Sequence, residues 1–69
     1  MRNLKAEMAR RELTAQDLAN LIKMSPSTFY RKFQGYTEFT ISEAFAISNV
    51  LGEKIDYLFE KTESDQTIN

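Results

Sequence analysis

With 69 residues, 42% of them hydrophobic, the chain can build one core and no more, close to the smallest size at which a domain folds without staples. The absence of cysteine and histidine excludes a disulfide framework, a thiolate or imidazole metal site and Cys–His or Ser–His nucleophile chemistry. The net charge of −1 conceals an asymmetry: residues 1–35 hold seven basic and three acidic side chains and the remainder two and seven, so a basic face can sit on an acidic whole.

Met1–Arg10 carries Arg2, Lys5, Glu7 and Arg10 and lacks the apolar stretch of a signal peptide. No apolar run approaches the roughly 20 residues of a membrane span. A soluble, cytoplasmic protein is therefore expected. Leu4, Met8 and Leu13, with Ala6 and Ala9 between, predict a first helix over about 2–11. Thr14 has the character of an N-cap, and Asp17 three positions on suits the positive end of the dipole, so a second helix is expected over about 15–22 with Leu18, Ala19 and Ile22 inward.

Ser25-Pro26 is the clearest start signal: a serine cap, then proline at the first helical position, where its missing amide would have had no partner. The third helix should span about 26–34, put Phe29 and Phe33 in the core and stop at Gly35. The short link from Lys23 to Ser25 forces a steep crossing of the second and third helices, which is a helix-turn-helix. Thr40-Ile41-Ser42-Glu43 reads as a capping box for a fourth helix whose core face is taken as Ile41, Phe45, Ser48 and Leu51, with Phe45 central, and which ends at Gly52. A short last helix near Ile55–Phe59 returns Ile55, Leu58 and Phe59 to the core. The domain is expected over 1–60, with 61–69 a mobile polar tail. The fold class is thus all-α, about five short helices.

Leu13-Thr14-Ala15-Gln16-Asp17-Leu18-Ala19, Met24-Ser25-Pro26-Ser27-Thr28-Phe29, Gly35, and Val50-Leu51-Gly52 before Ile55-Asp56-Tyr57-Leu58-Phe59 resemble the lambda-repressor-like family of phage and bacterial regulators, the Cro and repressor type. The resemblance implies a recognition helix in the major groove of double-stranded DNA, with the second helix across the backbone. Carried onto this chain, the base-reading positions are Pro26, Ser27 and Arg31. Arg31 is the strongest of them, because a guanidinium can make two hydrogen bonds to guanine. Gln16, Lys23, Thr28, Tyr30, Lys32, Gln34, Arg10 and Arg11 are candidates for the DNA backbone or groove wall. Tyr30 has two readings: a contact to sugar or phosphate, or a ring packed over Ile22.

Departures from the family pattern stand beside the matches. Ala15 replaces the glutamine that often opens the second helix, and Glu38 follows the third helix where basic residues are frequent. Lys23 occupies the turn position where glycine is common, at a cost of about 1 kcal/mol if its backbone is left-handed. Two functions follow: a sequence-specific DNA-binding transcriptional regulator, acting as a homodimer on an operator, or a protein-binding module of the same fold that acts as an antirepressor or modulates a repressor partner. Nothing supplies a nucleophile with a base, so neither enzyme activity nor a cofactor is expected. Ala46, Ile47, Val50 and Tyr57 are either absorbed by the core or exposed as a dimer or partner surface.

Overall fold

The computed structural model describes residues 1–60; the expected tail, 61–69, lies outside them. Five helices follow in order among the described residues: α1 (Arg2–Arg10), α2 (Ala15–Leu21), α3 (Pro26–Phe33), α4 (Ile41–Leu51) and α5 (Ile55–Leu58). Their starts are set by side-chain caps. Thr14 Oγ1 accepts the Asp17 amide at 3.0 Å while Asp17 Oδ2 accepts the Thr14 amide at 3.0 Å, and Thr40 and Glu43 repeat the reciprocal pair at 3.1 and 2.8 Å. Ser25 Oγ accepts the Thr28 amide at 3.2 Å, with Pro26 at the first position. Each bond satisfies an amide that the helix itself leaves orphaned.

Three helix ends share one device. After α1, α2 and α3 the chain turns through a residue of positive φ, namely Glu12 (56°), Lys23 (59°) and Gly35 (93°). In each case that residue's amide and the next one's return to carbonyls of the last turn: Glu12 to Ala9 and Leu13 to Met8, Lys23 to Asn20 and Met24 to Ala19, Gly35 to Lys32 and Tyr36 to Arg31. This is the Schellman arrangement, and in the first two ends the residue after the turn, Leu13 or Met24, drops onto the core. Lys23 is left-handed, as its turn position demands. Replacing Lys23 by glycine should relieve a strain of about 1–2 kcal/mol, offset in part by the freer unfolded chain, for a net gain of up to about 1 kcal/mol. Thermal melts of Lys23→Gly and Lys23→Ala check it: only the glycine variant should melt higher.

The core gathers Leu4, Met8, Leu18, Ala19, Phe29, Ile47, Leu51 and Leu58, one or two from each helix. α2 and α3 pack more extensively on each other than does any other pair, while α5 joins α1 to α4. An aromatic chain reinforces this core: Phe29 stacks on Phe33 at 5.8 Å, meets Phe39 edge-on at 5.5 Å, and Phe39 meets Phe59 edge-on at 5.6 Å. Phe39, in the loop before α4, is an unforeseen core residue.

Phe45 corrects the sequence reading. It is 56% exposed and Ile41 76% exposed, whereas Ala44, Ile47 and Leu51 face inward. The inward stripe of α4 is therefore rotated from the expected one. The physical reason is that α4 is apolar on most sides, so periodicity allows more than one phase and packing of Ile47 and Leu51 into the shared core selects this one.

A second surprise is Glu7, 1% exposed. Its carboxylate accepts from Arg11 Nη1, from Arg10 Nη1 at 3.0 Å and from the Tyr57 hydroxyl at 2.7 Å. Arg11 goes on to donate to the Leu51 carbonyl at 2.7 Å, tying α1 to the end of α4. Among the described residues no buried side-chain polar atom lacks a partner, so the charge is buried with its hydrogen bonds made.

This network ties stability to pH. The hydrogen bond from Arg11, helped by the one from Tyr57, holds the Glu7 carboxyl below its ordinary 4.5. Lys32 does the same for Glu43, and the Thr14 amide for Asp17. Groups lowered on folding contribute stability that is present above their unfolded values and lost as pH falls through the folded ones. Tyr57 moves the other way: donating to Glu7 raises it above 10.0, so its contribution is lost as the phenol ionises. Urea midpoints should accordingly stay level from neutrality to about pH 5 and fall below about pH 4.5. Glu7→Gln should flatten part of that acid limb.

Candidate nucleic-acid interface

α3 divides cleanly by its own geometry. Phe29 is fully buried and Phe33 half-buried on one side. Ser27, Tyr30, Arg31 and Gln34 lie three or four residues apart and form one exposed stripe on the other. Pro26 is exposed at the first helical position. The three base-reading candidates thus stand together in solvent at the start and middle of this helix. The Arg31 side chain makes no ion pair with the other described residues, so its guanidinium is available.

Tyr30 is 52% exposed, which leaves about half of its surface open to a sugar or phosphate. Thr28 points along the cap: its hydroxyl accepts from Ser25 Oγ at 3.0 Å, and the Ser27 and Ser25 hydroxyls are 3.3 Å apart. The Thr28 hydroxyl, an acceptor in this pair, keeps its own proton free to donate outward. Gln16 and Lys23, one in the first turn of α2 and one in the turn after it, are exposed on the flank of the same motif.

The remaining cations are less available than their positions in the sequence suggest. Arg11 is committed to Glu7, to the Leu51 carbonyl and, at 3.5 Å, to Glu53. Lys32 Nζ donates to Glu43 Oε1 at 2.6 Å and its side chain is only 14% exposed. Drawing either onto a phosphate would strand a carboxylate in a partly desolvated site. Arg10, by contrast, pairs with Glu7 yet keeps 68% of its side chain exposed. Arg10 is the most exposed of the three, the Arg11 side chain keeping 32%. Glu38, in the loop after α3, is exposed as well.

The possible partner surface divides in the same way. Ile47 is fully buried and Tyr57 is engaged with Glu7, so these two are absorbed by the core and its polar network. Ala46 is half-buried and Val50 40% exposed, and they sit beside the exposed Phe45. The sequence separations of 40 and 11 residues between Arg11 and Leu51 and between Lys32 and Glu43 explain why local pattern could not reveal these engagements.

Five short helices, an α2–α3 pair packed together across a short turn and an exposed polar stripe on the second of them define a helix-turn-helix domain of the DNA-binding kind. A family model described as helix-turn-helix matches residues 4–58, which takes in all but the edges of the described fold. The chain belongs to this helix-turn-helix family, the lambda-repressor and Cro-like type of DNA-binding regulatory domain. Neither the curated proteins nor the solved structures offer a match. No helix among the described residues is long and apolar enough to cross a membrane.

Proposed function

We propose that the protein is a sequence-specific transcriptional regulator that lays α3 in the major groove of duplex DNA, with Arg31 reading a guanine and Ser27 and Pro26 contributing at neighbouring base pairs. The observation that carries this reading is the exposed stripe Ser27–Tyr30–Arg31–Gln34 on a capped helix, with an uncommitted guanidinium at its centre. Gln16, Lys23, Tyr30, Gln34 and Arg10 serve the sugar-phosphate walls. Thr28 can donate its free hydroxyl proton to the same walls, whereas Arg11 and Lys32 support the frame, because their cationic groups are already partnered.

One such module makes too few base contacts for high selectivity, so the regulator acts as a homodimer on a pseudo-palindromic operator. The surface that suits a second copy is the outer side of α4: Ile41, Phe45, Ala46 and Val50. Glu43 is the sole charge in that helix and is turned toward Lys32. An isologous contact sets a face against itself, where like charges would repel, and this face carries none.

A titration against random duplex DNA at several salt concentrations tests the reading. Affinity falling steeply with salt supports it, since each phosphate contact adds about 0.9 to the slope. The second reading, a module that binds a repressor protein, is favoured by the engagement of Arg11 and Lys32 and by Glu38. Absence of binding at low salt, together with capture of a repressor partner lost on Phe45→Ala, would replace the first reading with the second.

A further inference from the structure

We infer that the apolar cleft beside the loop after α3 docks a cationic segment of a partner protein, one that presents an aromatic or aliphatic anchor with lysine or arginine within a turn of it. The inference stands apart from the DNA-binding reading, because the residues it uses lie outside the exposed stripe of α3. The cleft encloses about 530 Å³ between the 35–40 loop, the first turn of α4 and residues at the two ends of α5.

Its walls are apolar and held from behind. Phe39 and Phe59, each half-buried, meet edge-on at 5.6 Å, and Phe39 is braced in turn by Phe29 of the core. Ala44 is buried, and Ile41 and Ile55 add branched aliphatic surface. Such a wall is fixed before anything binds, which lowers the ordering cost of an occupant. The apolar surface does not end at the cleft. Ile41 is exposed at its edge and Phe45, one turn further along α4, is exposed as well. A small molecule would fill the cleft and leave this strip in water, whereas a polypeptide segment covers both.

Charge selects the partner's sign. Every ionisable side chain lining the cleft is acidic, namely Glu38 and Glu60, and both are exposed. Residues 36–60 hold five carboxylates. Glu43 is met by Lys32 and Glu53 by Arg11, so Glu38, Asp56 and Glu60 are the three without an ion pair among the described residues, and two of them stand here. An anchor seated on the aromatic wall displaces water, so a cation beside it gains more from each carboxylate than it would in open solvent. The same carboxylates repel phosphate, which makes the cleft unsuited to a nucleic-acid strand or an anionic membrane. The chain's own residues 61–69 set Lys61 against Glu63 and Asp65 and do not complement it.

The test titrates the full chain into a fluorescein-labelled helical peptide of leucine and lysine, beside one with glutamate for lysine and one with serine for leucine. Binding of the first alone is expected. Glu38→Gln combined with Glu60→Gln should weaken it about tenfold, the effect of losing two ion pairs at the edge of an interface. Ile41→Ser should weaken it too. Glu12→Gln combined with Asp56→Asn makes the same change of net charge outside the cleft and should leave the affinity unchanged. All five side chains are exposed, so the melting temperatures should stay at the wild-type value. Equal weakening by the two charge pairs, tight binding of the serine peptide, or no binding of the leucine-lysine peptide would overturn the site. Phenethylammonium bound as tightly as the peptide would give the cleft to a small organic cation instead. A dimer of the protein alone that Glu38→Gln with Glu60→Gln dissociates would give it to a second copy.

Discussion

Phe29→Ala is expected to cost about 3–5 kcal/mol, a large part of what a domain this small possesses. Phe29 is fully buried, stacks on Phe33, meets Phe39 edge-on and lies where α2, α3 and the loop before α4 converge. Its loss leaves a cavity that three separate elements would have to close at once. Phe45→Ala should by contrast stay within about 0.5 kcal/mol of the wild type, because its ring is already largely in water. Urea denaturation of the two variants side by side decides the matter. Comparable losses, or a larger one at Phe45, would mean that α4 presents its other face to the core.

That contrast also marks where sequence pattern stops informing. Helix limits were legible because Thr14, Ser25 and Thr40 announce starts by local hydrogen bonds, and Gly35 and Gly52 announce ends by the φ they permit. α4 defeats periodicity for a different reason. Ile41, Ala44, Phe45, Ala46, Ile47, Val50 and Leu51 make it apolar on most sides, so two phases fit equally and only the tertiary partners select one.

Glu7 escaped notice because a glutamate between Leu4 and Met8 looks like an exposed interruption. Its partners Arg10 and Arg11 at three and four residues on were a usable signal of pairing. Burial came from Tyr57, fifty residues away. For the candidate site, exposure of Ser27 and Arg31 follows from the cap and the placement of Phe29 alone, whereas the engagement of Arg11 with Leu51 and of Lys32 with Glu43 depends on residues brought in from the second half of the chain.

Arg31→Ala is expected to change which sequences are selected, and this separates it from every other cation on the surface. A bidentate pair with guanine O6 and N7 discriminates by about 1–3 kcal/mol, so its loss should weaken the preferred site by that amount and relax selectivity at one base pair in each half-site. Arg10→Ala acts on phosphate alone: it should weaken all sequences alike and lower the salt slope by about one unit. Lys32→Ala should lower stability instead, since Glu43 loses the ammonium 2.6 Å from it. Selection from a random duplex pool, followed by salt titration of the recovered sites, reads the first two, and urea denaturation reads the third. Arg31 lies in solvent on a helix capped by Ser25 and anchored by Phe29, so truncating it should leave the fold as it is. If the Arg31→Ala protein recovers the wild-type sequences with undiminished discrimination, Arg31 is not a base reader, and selectivity has to be sought at Ser27, Tyr30 and Gln34 on the same stripe.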